Sequence, residues 1–574
     1  MKVNLTSKRA IILFIFIGLV VYFNSLFNGF VWDDLDQIIN NPGVYSLQNI
    51  LYFFSGLTYS DSSMSVSNYV FPFYRPLFSS LLTVLYSFFH KTAFFYHFTQ
   101  LALHIINTSL LFILFKRLFN KYLSFFLALL FLIHPITVES VVYVSAISEP
   151  LFFLCGLLAL LVFDIDKITN RHLSKGALLF LCSLLAKETG ILFLPLFWIH
   201  QGLFRKRNFK KVFYTTLSVL VGYLFIRLVI AKAFFGIPDN IPITATSMQV
   251  RLQTIPAVFF YYIKTFFYPI NLAISQHWLV TANNFNSFYL PVFSDIFFLL
   301  IISSTGFYFW KYNKTDSFRP YLLFSVWFLS GMLLHSQIIP LDMTVADRWF
   351  YFSLAGLVGM IGVFLNSLIL TKLNKHLNKF LLPTFLILGL LSVRTIIRNT
   401  NWKNPITLYS HDVNFTQSYS LETNLGTELY NIGNKQEALI HLQKSVELAP
   451  NYHVNWRNLA GYYYNSGDFK TAEEYYKNAI KNKTYYFPAY EDYGKLLLFH
   501  DNSNGNRAKE FLEGSVSLFP QNASLWLYMS IAYYKLGLNR EALIAAKRAF
   551  DLQPNQNTRS VYYNLKNNIP LKIE

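Results

Sequence analysis

Long apolar runs separated by short polar breaks fill the first two thirds of the chain. A helix that spans a bilayer needs about 20 mostly apolar residues. Such runs fall near 10–27, 97–115, 122–133, 148–163, 176–186, 189–203, 212–231, 292–310, 320–339, 349–370 and 380–397. This pattern predicts eleven spanning helices, with 122–133 and 176–186 short for the task. The run 255–270 is expected to lie on the membrane surface or to re-enter, since a twelfth span would break the charge alternation of the loops. The first run has a basic flank like a signal peptide. No small-residue cleavage site follows in Asn24–Phe30, so an uncleaved anchor is expected.

Past Arg398 the texture becomes polar and a period of 34 residues emerges. A small residue recurs at Gly426, Ala460, Gly494 and Ser530, and an alanine at Ala438, Ala472, Ala508 and Ala542. Leu429, Tyr463, Leu497 and Tyr533 keep the same phase. Pro450, Pro520 and Pro554 close three of the four units, and Trp456 and Trp526 open two of them. This resembles the tetratricopeptide pattern, in which small residues let paired helices approach and large ones fill the groove between units. The third unit carries two extra residues around Asn502–Asn506, expected to lengthen its inter-helix turn. The fold class predicted is all-α: a polytopic membrane domain over 1–398, a linker over 399–418, four repeats over 419–556 forming a soluble solenoid, and a C-terminal tail over 557–574.

Composition agrees with that division. Of the 574 residues 54% are hydrophobic, 18% aromatic and only 14% charged, where a soluble chain carries about 25% charge. An ordinary soluble enzyme and a disordered chain are both excluded. Cys155 and Cys182 lie inside apolar runs and supply no disulfide framework. The net charge of +18 is not a nucleic-acid signature, because residues 1–398 hold 30 Lys/Arg against 14 Asp/Glu while the rest is close to neutral. The excess sits in alternate short loops, such as Arg205, Lys206, Arg207, Lys210 and Lys211. The opposite loops hold only Arg75, Lys91, Lys187, Arg251, Lys264 and Arg348. The positive-inside rule then places the N-terminus in the cytoplasm and the repeats outside. No nucleic-acid partner is expected.

Candidate chemistry collects in the outer loops. Asp33 and Asp34 follow the first span directly, and two adjacent carboxylates there suit either a general base or ligands for a hard divalent cation such as Mg²⁺ or Mn²⁺. The plainer reading is a pair of solvated loop acids or a helix cap. His134, Glu139 and Glu149 form a second cluster between the third and fourth spans, where Glu139 and Glu149 equally suit helix capping. Lys187–Glu188 sits at the tip of the hairpin 176–203, as an internal ion pair or as part of a site. Asp347–Arg348, beside Trp349, and Arg75 suit an anionic lipid phosphate or plain snorkelling to headgroups. No phosphate-binding glycine loop and no Cys/His zinc spacing occurs.

The ordered set Trp32–Asp33–Asp34, Asn41–Pro42, Tyr74–Arg75–Pro76–Leu77, His134–Pro135 with Glu139, Glu149, Ala186–Lys187–Glu188 and Asp347–Arg348–Trp349–Phe350–Tyr351, then Trp402–Lys403–Asn404 ahead of the repeats, resembles one family. It is that of the transmembrane and tetratricopeptide repeat-containing O-mannosyltransferases and their bacterial relatives. The resemblance implies a GT-C fold and an outward-facing glycosyltransferase that uses a polyprenyl-phosphate sugar. By the same analogy Asp33, Asp34 and Glu149 are catalytic, and Arg348 with Lys187 binds the donor phosphate. Arg75, His134, Glu139, Glu188 and Asp347 would support the cavity. The family's Glu–Arg stands here as Asp347–Arg348, a shorter acid with less reach. The implied partners are a lipid-linked donor and a protein or glycan acceptor recruited by the repeats, in the bacterial inner membrane or the endoplasmic reticulum. Two other readings compete: a non-catalytic scaffold, for which eleven spans are far more than an anchor needs, and a transporter, which calls for ionisable groups at the bilayer midplane.

Overall fold

Helix dominates because the apolar runs have no other way to satisfy their backbone in lipid. The computed structural model describes residues 5–56, 73–234, 241–312, 315–370, 377–501 and 505–571, so the extra residues at 502–504 of the third repeat lie outside it. Among the described residues there is no β-strand, only one isolated bridge between Gln276 and Val345. The chain divides into two compact units, the second of which takes in the sequence from Ser418 onward.

Among the described residues of the membrane unit, eight helices are long and apolar enough to cross a bilayer: Ser7–Phe27, Ala93–Lys116, Val144–Phe163, Lys206–Ile230, Phe285–Lys311, Asp316–Leu334, Asp347–Leu368 and Leu382–Asn401. The pair Lys121–Ile133 and Pro135–Val142, bent by 51°, makes a ninth if counted as one span. Eleven were expected, and the difference lies in the hairpin around Lys187. Its arms, Asn170–Ala186 and Phe193–Phe204, have 17 and 12 residues. At about 1.5 Å per residue both fall short of a core about 30 Å thick. Met248–Phe267 covers the run expected on the surface and carries Pro256 inside it.

Without water to drive apolar surfaces together, packing in the membrane depends on close van der Waals fit. Phe153, Phe193, Trp327, Tyr351 and Phe352 interlock at the centre, with Trp327 between 5.7 and 6.2 Å from the rings of Phe153, Phe193 and Phe352. Glycines bring neighbouring helices close. A Cβ on Gly356 would lie 2.4 Å from the backbone nitrogen of Phe328 in the adjoining helix.

The bend comes from His134–Pro135. Proline donates no N–H, so the helix ends and its last carbonyls lose their partners. Side chains from three other spans replace them. The Leu132 carbonyl accepts from the Tyr22 hydroxyl at 3.2 Å and from His104 Nε2 at 3.0 Å, and the Ile133 carbonyl accepts from Thr395 Oγ1 at 2.6 Å. Further on, Gln100 Nε2 donates to the carbonyls of Ser140 and Tyr143, each at 2.7 Å.

The second unit is built of helix pairs: Tyr419–Asn431 with Lys435–Leu448, His453–Asn465 with Phe469–Asn482, Phe487–His500 with Asn506–Leu518, and Ala523–Lys535 with Asn539–Leu552. The four repeat alanines, Ala438, Ala472, Ala508 and Ala542, are fully buried, as are Ala460 and Ser530. A Cβ on Gly426 or Gly494 would approach Leu442 or Leu512 to 2.8 Å. Trp456 and Trp526 each donate Nε1–H to the carbonyl of the preceding proline, Pro450 at 2.7 Å and Pro520 at 3.0 Å. Much of the segment expected as a tail is a further helix, Gln556–Lys566, whose Leu565 packs on Ala542 and Ala546.

Gly356→Ala is expected to lower stability in detergent by about 1–3 kcal/mol through overpacking. Gly389→Ala, where nothing lies within 4 Å of the added Cβ, is expected to be neutral or mildly stabilising. Thermal unfolding of both variants checks the pair.

Candidate functional site

After the first span the chain turns sharply at Trp32, whose φ of 53° lies in the left-handed region that a bulky residue rarely adopts. The turn is held by Asp34. Its Oδ2 accepts from the Val31 N–H at 3.1 Å, and its Oδ1 from the N–H and hydroxyl of Ser145 at 2.7 and 2.6 Å. With Asp34 committed to these donors and fully buried, Asp33 is the member of the pair that lines a cavity of about 460 Å³. The two acids, expected to act together, are thereby given different tasks.

The same cavity is lined by Arg75, Glu149, Lys187, Glu188 and Arg348. Six of the ten singled-out residues therefore meet in one place. Each cation has an acid beside it. Arg75 grips Glu188 with two hydrogen bonds, at 3.0 and 2.6 Å, and lies 4.5 Å over the Phe73 ring. Lys187 pairs with Glu149. Arg348 pairs with Glu139, which also accepts the Arg348 backbone N–H at 3.1 Å, and the guanidinium stands 5.8 Å from the Trp349 ring.

The other three do not line the cavity, nor does Asp34. His134 is buried, with Nε2 on the Phe266 carbonyl at 2.9 Å, Nδ1 accepting from the Ile136 N–H at 3.2 Å, and its ring stacked on Phe266. It braces the helix break. Asp347 accepts from the Tyr261 hydroxyl at 2.6 Å, and Glu139 acts by holding Arg348. The wall also holds groups that the sequence reading passed over: Gln37, Tyr143, Thr189, His335 and Asp342. Asp342 was visible as an acid five residues before Asp347. Nothing in the sequence singled out the neutral ones.

Electrostatics separate the acids further. Burial pushes Asp33 up to about 6, against the lowering effect of Tyr143 and Arg348. Burial pushes Asp34 up to about 7 despite its three donors. Burial would also raise Glu188, but Arg75 beside it brings it down to about 2. Asp33 is thus poised between its charged and neutral forms near physiological pH, while Glu188 stays ionised.

The oxygens of Asp34 accept from the Val31 and Ser145 donors, which leaves Asp33 as the carboxylate of the pair that faces the cavity. Among the described residues no group of three or more His, Cys, Asp or Glu side chains is placed to hold a metal ion. The second unit has its own cavity of about 320 Å³, lined among others by Arg457, Asn458, Tyr462, Asn465 and Asp492.

The tetratricopeptide repeat family matches residues 423–452 and 456–484. Over the membrane unit and the repeats together, the chain is similar to the protein O-mannosyl-transferase F38B6.6 of Caenorhabditis elegans, 25% identical over 77% of this chain and 63% of that one. It is also similar to the human protein O-mannosyl-transferase TMTC3, 22% identical over 97% of this chain and 66% of that one. The chain is a relative of the transmembrane and tetratricopeptide repeat-containing O-mannosyltransferases. It spans about two thirds of the length of these two relatives. A crystal structure of MamA matches 26% of the chain and 86% of its own at 22% identity, with a TM-score of 0.24.

Asp34→Asn sets an amide NH₂ against backbone donors and is expected to cost about 1–3 kcal/mol of stability. Asp33→Asn has no such consequence. Thermal melting of the two variants in detergent should therefore separate them, with only Asp34→Asn melting early.

Proposed function

We propose that the chain is a membrane glycosyltransferase that moves a sugar from a polyprenyl-phosphate donor to an acceptor hydroxyl on protein; the name protein O-mannosyl-transferase carried by its relatives supports a protein acceptor and mannose as the sugar. The observation that carries this reading is the meeting of Asp33 with Arg75, Lys187 and Arg348 in one cavity. A scaffold has no use for such a convergence.

In the proposed reaction the acceptor oxygen attacks the anomeric carbon from the face opposite the phosphate. The bond from that carbon to the phosphate oxygen breaks, and the lipid phosphate leaves with the electron pair. Asp33 takes the acceptor proton, and the configuration inverts. Arg348, with Lys187 and Arg75, meets the charge on the departing phosphate. Glu149 supports the site by holding Lys187. No step passes through a metal.

The face of the membrane follows from loop charge, which favours a cytoplasmic N-terminus and extracytoplasmic repeats. Eleven spans and nine are both odd, so the shorter hairpin arms leave that assignment as it was. The repeats are proposed to recruit the acceptor, with their cavity near Asn458 and Asn465 as the receiving groove.

Asp33→Asn is expected to lower transfer from polyprenyl-phosphate mannose by about 10²–10⁴-fold with little change in melting temperature. Full activity in the folded variant would discard Asp33 as base. In the wild type the base works only when ionised, so kcat/KM should fall as pH drops through about 6. A profile flat from pH 5 to 8 would contradict the assignment.

A further inference from the structure

Two polar atoms on the wall of the membrane cavity have no hydrogen-bond partner, Gln37 Oε1 and Thr189 Oγ1, and the Tyr143 hydroxyl on the same wall has only Asp33 beside it. Tyr143 is 3% exposed and Thr189 8%. Buried polar groups nearly always find partners, and an exception calls for a missing ligand or water. Two exceptions on one wall, with the Tyr143 hydroxyl free to accept beside them, mark a ligand surface in the cavity that holds Asp33 and Arg348.

The chemistry of the three narrows what that ligand is. None carries charge, and Gln37 Oε1 only accepts. An ionised phosphate offers acceptor oxygens alone, leaves Gln37 unsatisfied, and is better served by the cations of the same wall. A hydroxyl both donates and accepts, so a ring bearing several of them satisfies all three positions. Tyr143 and Gln37 also stand near the base: the Tyr143 hydroxyl favours the charged form of Asp33 by hydrogen bonding, and Gln37 follows Asp33 by one helical turn.

We propose that Gln37, Tyr143 and Thr189 bind hydroxyls of the sugar carried on the donor and determine which sugar is transferred. The inference rests on the glycosyltransferase reading and adds to it the neutral half of the site. The cations hold the phosphate, and these three groups hold the ring.

The test uses the full chain in detergent with Gln37→Leu, Tyr143→Phe and Thr189→Val, beside Thr189→Ser, which keeps the hydroxyl. Transfer from polyprenyl-phosphate mannose and polyprenyl-phosphate glucose is measured for each, to a glycan-free peptide and to a glycan-bearing one. The expected result is a loss of about 10- to 100-fold in kcat/KM for the better donor, a ratio between donors that moves toward one, and near-normal behaviour of Thr189→Ser. An equal loss with both donors, or none, overturns the proposal and leaves the three groups to ordered water. A loss seen only with glycan-bearing acceptors also overturns it, by assigning the ring to the acceptor. A second measurement needs no turnover: the shift in melting temperature with polyprenyl-phosphate mannose compared with bare polyprenyl phosphate. The sugar should add to the shift in the wild type and not in the three deletion variants, and identical increments would sink the idea. A wild type that turns over no donor would remove the glycosyltransferase reading, while these shifts would still decide whether the three groups bind a sugar.

Discussion

A helix interrupted inside a membrane exposes carbonyls that lipid cannot satisfy, and the membrane unit is organised around one such interruption. Where His134–Pro135 ends a helix, Tyr22, His104 and Thr395 donate to the freed carbonyls of Leu132 and Ile133. Three spans distant in sequence are therefore tied to one point by hydrogen bonds that have no competing water. The short segment beyond the break carries Glu139 and leads into Tyr143 and Ser145. Through these the break positions Arg348, the wall beside Asp33, and the anchor of Asp34.

The cavity that results is charged yet balanced locally. Arg75, Lys187 and Arg348 each face a carboxylate, so no cation is buried alone, an arrangement that a low-dielectric site demands. The pairs differ in kind. Glu139 grips Arg348 through both backbone and side chain and fixes its direction, whereas Glu188 holds Arg75 through the guanidinium alone. In the proposed reaction an incoming phosphate would meet cations already aimed by their partners.

Much of this was legible in the sequence, for identifiable reasons. Hydropathy located the spans because each must cover the same thickness, and it over-counted by length at 176–186 and 189–203, where the helices have only 17 and 12 residues. The 34-residue period located the repeat alanines because each fills the same interhelical gap. Charge in an apolar context located Asp33, Arg75, Glu149, Lys187, Glu188 and Arg348. It could not divide the labour between Asp33 and Asp34, which depends on a turn at Trp32 and on Ser145, over a hundred residues away. Gln37, Tyr143 and Thr189 left no trace, since a neutral polar side chain near an apolar run is ordinary until its place on the cavity wall is seen.

The latch between Asp34 and Ser145 has a mechanical meaning. It joins the loop after the first span to the start of the helix Val144–Phe163, so the reactive carboxylate takes its coordinates from a neighbouring span as much as from its own.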